Sequence, residues 1–201
     1  MKSKTLAPAI IEYEFPTQLA KNIIEIIEQS DNIPWEKSGV GAESSQDQEI
    51  RTSNGFSFSD TFPFWTEEVK KYFVEAIKDY SGKYEESNVT QDEGFNLLRY
   101  EGSGKYDFHS DSGWSIYRTV SALIYLNPSE YEGGETYFKH FDIKVKPENP
   151  SIVVFPSNYA YLHAALPVTE GRKYVIVTWM NDLPEGFHPA IMYNISKSVG
   201  R

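Results

Sequence analysis

The sequence predicts a mainly β fold with flanking α-helices, and two observations carry that prediction. From residue 94 onward, short β-rich runs follow one another at close spacing: GFNLLRY, YRTVSALIYLN, ETYFKHF, IKVKP, SIVVFP, AYLHAAL and RKYVIVTWM. They are punctuated by turn-forming clusters such as EGSG, NPSEYEGG, KPENP, PSN and PVTEG. Before residue 94 the apolar period is helical. Many short strands in series fold as an antiparallel sandwich or barrel, and two helices then cover one sheet from outside.

The helices are read from their apolar spacing. In PTQLAKNIIEIIEQSD, Leu19, Ile23, Ile26 and Ile27 recur at helical intervals opposite Lys21, Glu25 and Glu28, with Thr17 as the expected cap. In FWTEEVKKYFVEAIKDYSGKY the apolar face is Val69, Phe73, Ala76, Ile77 and Tyr80, with Thr66 as the expected cap. Between them, residues 31–62 are polar and rich in Gly and Ser, and a loop of that length is more often functional or mobile than idle. There is no internal repeat. The expectation is one domain over residues 1–201: helical support and a mobile loop in 1–93, a β core in 94–183 and a tail in 184–201 that adds an edge strand or wanders over the surface.

Composition narrows the function. Hydrophobic residues are 40% and charged residues 24% of the 201, an ordinary globular balance that buries a full core. The absence of cysteine excludes disulfides, thiolate metal sites and cysteine nucleophiles. A net charge of -10 repels phosphate backbones and anionic lipid headgroups, so nucleic acid and membrane are poor partners. No signal-peptide-like run opens the chain and no segment reaches membrane-spanning length, so the expected location is the cytoplasm.

The chemistry is concentrated in YDFHSDSGW. On a strand, residues i and i+2 share a face, so His109 and Asp111 converge on one point. An imidazole and a carboxylate suit a first-row divalent metal, and one further histidine from another strand completes a two-histidine, one-carboxylate face with open positions. Of the other three histidines, His140 reads as an exposed turn and His188 as loop. His163 sits between SIVVFP and the last strand, where a jelly roll brings late strands against early ones; its plain alternative is a packed core or edge histidine. Arg172 and Lys173 enter an apolar strand side by side and so face opposite ways. A buried cation there asks for an anion, unless both lie at the exposed start of the strand.

Taken in order, RTSNGF, YEGSGKYDFHSD, RTVSALIYLN, GGETYF, SIVVFP and HAALPVTEGRKYVIVTW resemble the iron(II)- and 2-oxoglutarate-dependent dioxygenases of the prolyl 4-hydroxylase type, from Arg51 to Met180 and densely from Tyr100 onward. The resemblance implies a double-stranded β-helix, or jelly-roll, core. It implies iron(II) held by His109, Asp111 and His163, and 2-oxoglutarate chelating that iron while its distal carboxylate pairs with a basic residue. That residue is Lys173, ten positions after His163, because Trp179 falls six residues beyond it as the family's tryptophan does; Arg172 is then solvated. Strand alternation puts Lys173, Val175, Val177 and Trp179 on one face.

Tyr125, on a face shared with Thr119, Ser121 and Leu123, is implied as second donor to the distal carboxylate, and Tyr100 as a neighbour of the cosubstrate. Arg51, in a segment that resembles the family's peptide-closing loop, and Trp179 are the substrate-side candidates. Arg118 is expected on the face opposite Tyr125, toward substrate or solvent, and Gly133 to Thr136 in a backbone role. The implied cofactors are iron(II), 2-oxoglutarate, dioxygen and ascorbate. The implied reaction is hydroxylation of an unactivated C–H bond, foremost of a prolyl residue in a peptide or protein, with release of succinate and carbon dioxide. Asp111 favours hydroxylation, since related halogenases lack this carboxylate. The alternatives are a hydroxylase of free amino acids or small metabolites, a non-catalytic β-helix module or sensor, and a cupin-like metal isomerase that would have no need of Lys173.

Overall fold

A computed structural model of the protein describes residues 1–39, 47–87, 89–113 and 116–182. The tail expected over 184–201, including His188, lies outside the described residues, as do 40–46 of the polar segment. In chain order the elements are β1 (Ser3–Ala7), β2 (Ile10–Glu14), α1 (Thr17–Gln29), β3 (Glu36–Lys37), β4 (Asn54–Ser57), α2 (Phe58–Thr61), α3 (Pro63–Lys83), β5 (Gln91–Asp92), β6 (Asn96–Glu101), β7 (Tyr106–His109), β8 (Val120–Tyr125), β9 (Tyr131–Gly133), β10 (Thr136–Phe138), β11 (Ile143–Val145), β12 (Ser151–Pro156), β13 (His163–Ala165) and β14 (Val168–Asn181).

The strands form two antiparallel sheets. The large one runs β1-β2-β12-β8-β14-β6-β4-β3, with β5 and β9 also on β14; the small one runs β11-β10-β13-β7. This is the jelly-roll core with flanking helices. The first 93 residues are not helical support alone: IIEYE alternates and enters the large sheet beside β12, and Asn54–Ser57 pairs with β6.

The large sheet is covered on both faces, which is why its central strands read as nearly continuous apolar runs. One set of alternate residues, including Val120, Ala122 and Ile124 of β8, Ile152 and Val154 of β12 and Ile176 of β14, packs with Ala20, Ile23 and Ile27 of α1 and Val69, Phe73 and Ile77 of α3. The other set faces the small sheet. There Tyr125, Val153 and Phe155 meet Phe138 and Val145. Phe138 and Phe155 touch edge to face at 4.9 Å, an arrangement contributing about 0.5–1.5 kcal/mol beyond area burial.

Both helix starts differ from expectation. α1 opens at Thr17 itself, with Pro16 as cap residue and no side-chain cap bond. α3 opens at Pro63, whose fixed φ and missing N–H suit a first turn; Thr66 is buried inside the helix and its hydroxyl reaches the Phe58 carbonyl at 3.4 Å. At the other end of the fold, Gly171 carries a φ of +75° as β14 leaves β9, and a Cβ there would lie 2.4 Å from the Glu130 carbonyl oxygen.

Candidate active site

The small sheet brings two histidines face to face. β7 and β13 pair antiparallel with His109 opposite His163, and their ring centroids lie 4.3 Å apart. Each Nδ1 lies against the backbone carbonyl two residues earlier: His109 against Asp107 at 2.9 Å, His163 against Tyr161 at 3.0 Å. A carbonyl only accepts, so Nδ1 carries the proton and each Nε2 keeps a free lone pair. Both Nε2 atoms turn toward Asp111, at 3.5 Å from Oδ1 for His109 and 3.7 Å from Oδ2 for His163. One ligand atom from each of the three lies within 4.8 Å of the others.

Strand alternation is not what delivers Asp111. β7 ends at His109, and the loop beyond is fixed by hydrogen bonds to Ser157: the Ser112 amide donates to its carbonyl at 2.9 Å and the Ser110 hydroxyl donates to the same oxygen at 3.0 Å. Burial opposes ionisation of Asp111, while the Ser121 hydroxyl, donating to Oδ2 at 2.7 Å, favours the carboxylate. His163 is pushed down to about 4, first by burial and then by His109, so its imidazole is neutral near pH 7. Two neutral imidazole nitrogens and one carboxylate, with the second nitrogens already tied to backbone, form a donor set suited to ferrous iron.

A cavity runs from this triad between apolar walls, among them Leu98, Leu123, Val175 and Val177, to Lys173 and Thr136. Lys173 is 2% exposed. Its ammonium donates to the Gly134 carbonyl at 2.8 Å and forms no ion pair among the described residues. It lies 5.1 Å from the Tyr125 ring centre and 5.3 Å from that of Tyr100. Burial pushes it down to about 7, against the pull of Glu135. A buried ammonium with spare donors is costly unless an anion meets it, and the far carboxylate of a diacid fits that need. Arg172 has the opposite fate. It faces outward, where its guanidinium pairs with Glu28 at 3.0 Å and Glu101 at 2.7 Å.

The remaining sequence candidates lie around this cavity. Tyr100, Trp179 and Arg51 line it, while Tyr125 sits behind Lys173 with its hydroxyl 2.5 Å from that of Thr136. Arg51 also donates to the Gly39 carbonyl at 2.7 Å and packs over Tyr106. Arg118 lies beside the substrate-side candidate Trp179. β8 begins only at Val120, so strand parity does not govern Arg118; its guanidinium carbon lies 3.6 Å from the Trp179 ring centre and its nitrogens contact Glu93 at 2.7–3.0 Å. Three polar contacts escaped the sequence reading: Ser121 and Ser157 behind Asp111, and Thr136, which is more than a turn residue. The parity of β8 was the available signal for Ser121, since Ser121, Leu123 and Tyr125 share the cavity face. His140 is an exposed turn residue.

Residues 95–181 match the 2OG-Fe(II) oxygenase superfamily. The matched stretch holds the triad and Lys173. The likeness to 2OG-Fe(II) oxygenases is thus concentrated in the part of the chain that carries the site. Probable prolyl 4-hydroxylase 9 of Arabidopsis thaliana is 34% identical over 119 residues, covering 45% of this chain and 41% of the plant protein. A putative prolyl 4-hydroxylase of Acanthamoeba polyphaga mimivirus is 28% identical over 159 residues, covering 69% of this chain and 62% of the viral protein. The chain thus spans less than half of the plant relative's length. Among solved structures, a Trichoplax adhaerens prolyl hydroxylase in complex with a hypoxia inducible factor peptide fragment superposes with a TM-score of 0.70 at 18% identity, covering 87% of this chain and 84% of that one. The viral collagen prolyl hydroxylase of Paramecium Bursaria Chlorella virus-1 gives 0.63 at 21% identity, covering 86% and 95%. At such identities the likeness is one of fold. The oxygenase family implies iron(II), 2-oxoglutarate and dioxygen. No helix among the described residues is long and apolar enough to cross a membrane.

Proposed function

We propose that the protein is an iron(II)- and 2-oxoglutarate-dependent dioxygenase that hydroxylates a prolyl residue in a peptide or protein, its domain acting as one catalytic unit. The observation that carries this reading is the conjunction of a largely buried His109–Asp111–His163 cluster with a buried ammonium that has no ion-pair partner among the described residues, at the other end of the same cavity. His109 Nε2, an oxygen of Asp111 and His163 Nε2 hold iron. Lys173 receives the distal carboxylate of 2-oxoglutarate, with Tyr125 and Tyr100 beside it, and Arg51 and Trp179 face the substrate.

Bound iron and cosubstrate supply, with dioxygen, the oxidising power for inserting oxygen into a C–H bond, with succinate and carbon dioxide as coproducts. The chain's own residues do the rest. The backbone bonds at both Nδ1 atoms fix the imidazoles, the apolar walls exclude water, and Lys173 sets how deep the diacid enters. Prolyl residues stand first as substrate because relatives by sequence and by fold are named prolyl hydroxylases.

The test is a panel of proline-rich peptides, free amino acids and small metabolites incubated with iron(II), 2-oxoglutarate and ascorbate. Succinate release is measured together with a mass gain of one oxygen. Hydroxylated peptide supports the proposal; product only from free amino acids or metabolites transfers it to a small-molecule hydroxylase; succinate in no reaction overturns the enzymatic reading.

A further inference from the structure

Asp111 is held from behind by buried Ser121, which in turn contacts buried Ser157 on another segment. Ser121 of β8 donates its hydroxyl to Asp111 Oδ2 at 2.7 Å, and the hydroxyls of Ser121 and Ser157 lie 2.7 Å apart. Both serines are 1% exposed. A hydroxyl has a single proton to donate. Ser121 gives its proton to the carboxylate, so it must accept from Ser157, and the order Ser157 to Ser121 to Asp111 is fixed. Ser157 is itself anchored. Its amide donates to the Thr119 carbonyl at 3.0 Å, and its carbonyl takes the Ser112 amide at 2.9 Å and the Ser110 hydroxyl at 3.0 Å. One serine therefore ties together the large sheet, the loop that carries Asp111 and the segment leading to His163.

We propose that Ser121, oriented by Ser157, is a positioning residue that occupies Asp111 Oδ2 and leaves Oδ1 as the one oxygen offered to iron. The proposal rests on the iron site assigned above. A carboxylate free to rotate can chelate through both oxygens and take a coordination position that the diacid and dioxygen need. An O–H donor to an ionised carboxylate oxygen is among the stronger hydrogen bonds, and it withdraws that oxygen from competition.

The probe is Co(II), titrated into the full chain and read by its visible ligand-field absorption, with far-UV circular dichroism as a folding control. Ser121→Ala should weaken Co(II) binding about 10- to 100-fold, the range for residues that orient metal ligands. It should also change the intensity of the absorption bands as the coordination number changes. Ser157→Ala should shift both readouts in the same direction by less, because Ser121 then keeps its hydroxyl but loses its orientation; it decides the matter alone if Ser121→Ala does not fold. Parent-like affinity and spectrum in the variants overturn the proposal, as does weaker binding with an unchanged spectrum, which would mean that the serines only brace the loop. A parent protein that takes up no Co(II) would instead sink the metal site itself.

Discussion

The ring of Tyr106 lies flat on the His109 imidazole, with centroids 3.6 Å apart and planes 18° apart. The guanidinium carbon of Arg51 lies 4.5 Å from the centre of the same tyrosine ring. Backbone pairing of Ile50 and Thr52 with Asp107 and Lys105 holds this arrangement in place, with Asp107–Ile50 and Thr52–Lys105 bonds of 2.9 Å. The segment carrying Arg51 is thus keyed to a metal-side imidazole through stacked planes. An aromatic contact of this kind is worth about 0.5–1.5 kcal/mol. Tyr106→Ala should weaken ferrous iron binding by up to about tenfold on that scale, while Tyr106→Phe keeps the ring and the affinity. Anaerobic titration with a competing chelator distinguishes the two; equal losses would remove the stack as the cause.

Each triad member should be separately required. His109→Ala, Asp111→Ala and His163→Ala are expected to abolish metal-dependent succinate formation while leaving the far-UV spectrum intact, because the backbone pairing of β7 with β13 and of β13 with β10 does not depend on these side chains. Activity persisting in any one of them would take that residue out of the assigned site.

Lys173 and Arg172 should separate cleanly. Hydrogen bonds to charged groups contribute about 1.5–3 kcal/mol, so Lys173→Ala should raise the KM for 2-oxoglutarate on the order of 10- to 100-fold. Arg172→Ala removes outward contacts with Glu28 and Glu101 and should leave that KM near the parent value. The reverse pattern in steady-state kinetics would mean that the wrong cation has been chosen.

Burial sets a pH dependence for the same ammonium. It is pushed down to about 7, chiefly by desolvation, with Glu135 opposing and Lys146 reinforcing. An unfolded lysine titrates near 10.4, so over the interval between the two the unfolded chain holds more protons and stability rises with pH; below about 7 the cost of the buried charge is present in full. A bound carboxylate reverses the preference and favours the ammonium. Above about 7, diacid binding should therefore take up a proton, and affinity should fall toward tenfold per pH unit. Calorimetry in two buffers of different ionisation enthalpy measures that uptake, and none at one unit above the transition would contradict the assignment.

Gly134 offers a steric test of the same pocket. Its φ is +65°, and an added Cβ would lie 2.9 Å from Val168 Cγ2, 3.0 Å from Tyr131 Cε2 and 3.3 Å from Lys173 Cδ. Gly102 has a φ of +56° with nothing within 4 Å of its would-be Cβ. Both alanine variants incur backbone strain of about 1–3 kcal/mol. Only Gly134→Ala should also weaken 2-oxoglutarate binding, because only it presses on the lysine stem. Matching thermal melts together with matching cosubstrate affinities would show that the crowding has no effect.

Much of this was legible because β-strands alternate. The phase of RKYVIVTWM separates Lys173 from Arg172, and the punctuation between runs marks the turns. What escaped has identifiable causes. β1 and β2 were missed because SKTLA is polar and exposed along one edge, and a short IIEYE run reads equally well as the approach to a helix. The helix starts were misassigned because a threonine near an apolar run suggests a cap, whereas the proline beside it governs the backbone. Asp111 was paired with His109 through strand parity, although the strand stops short and tertiary hydrogen bonds finish the placement. Ser157 and Thr136 carry no local signal of their own, and strand parity gives Ser121 a face but no partner: a lone small hydroxyl acquires meaning only when a distant segment folds against it.

β14 is lined differently on its two sides, with Lys173, Val175, Val177 and Trp179 toward the cavity and Tyr174, Ile176 and Met180 toward the helices. Inserting or deleting a single residue between Gly171 and Trp179 would exchange those linings wholesale, sending an ammonium under the helical layer and a phenol into the chamber. Homologous chains should therefore differ freely in the letters of this strand while keeping its length, and natural indels should collect before Gly171 or beyond Met180.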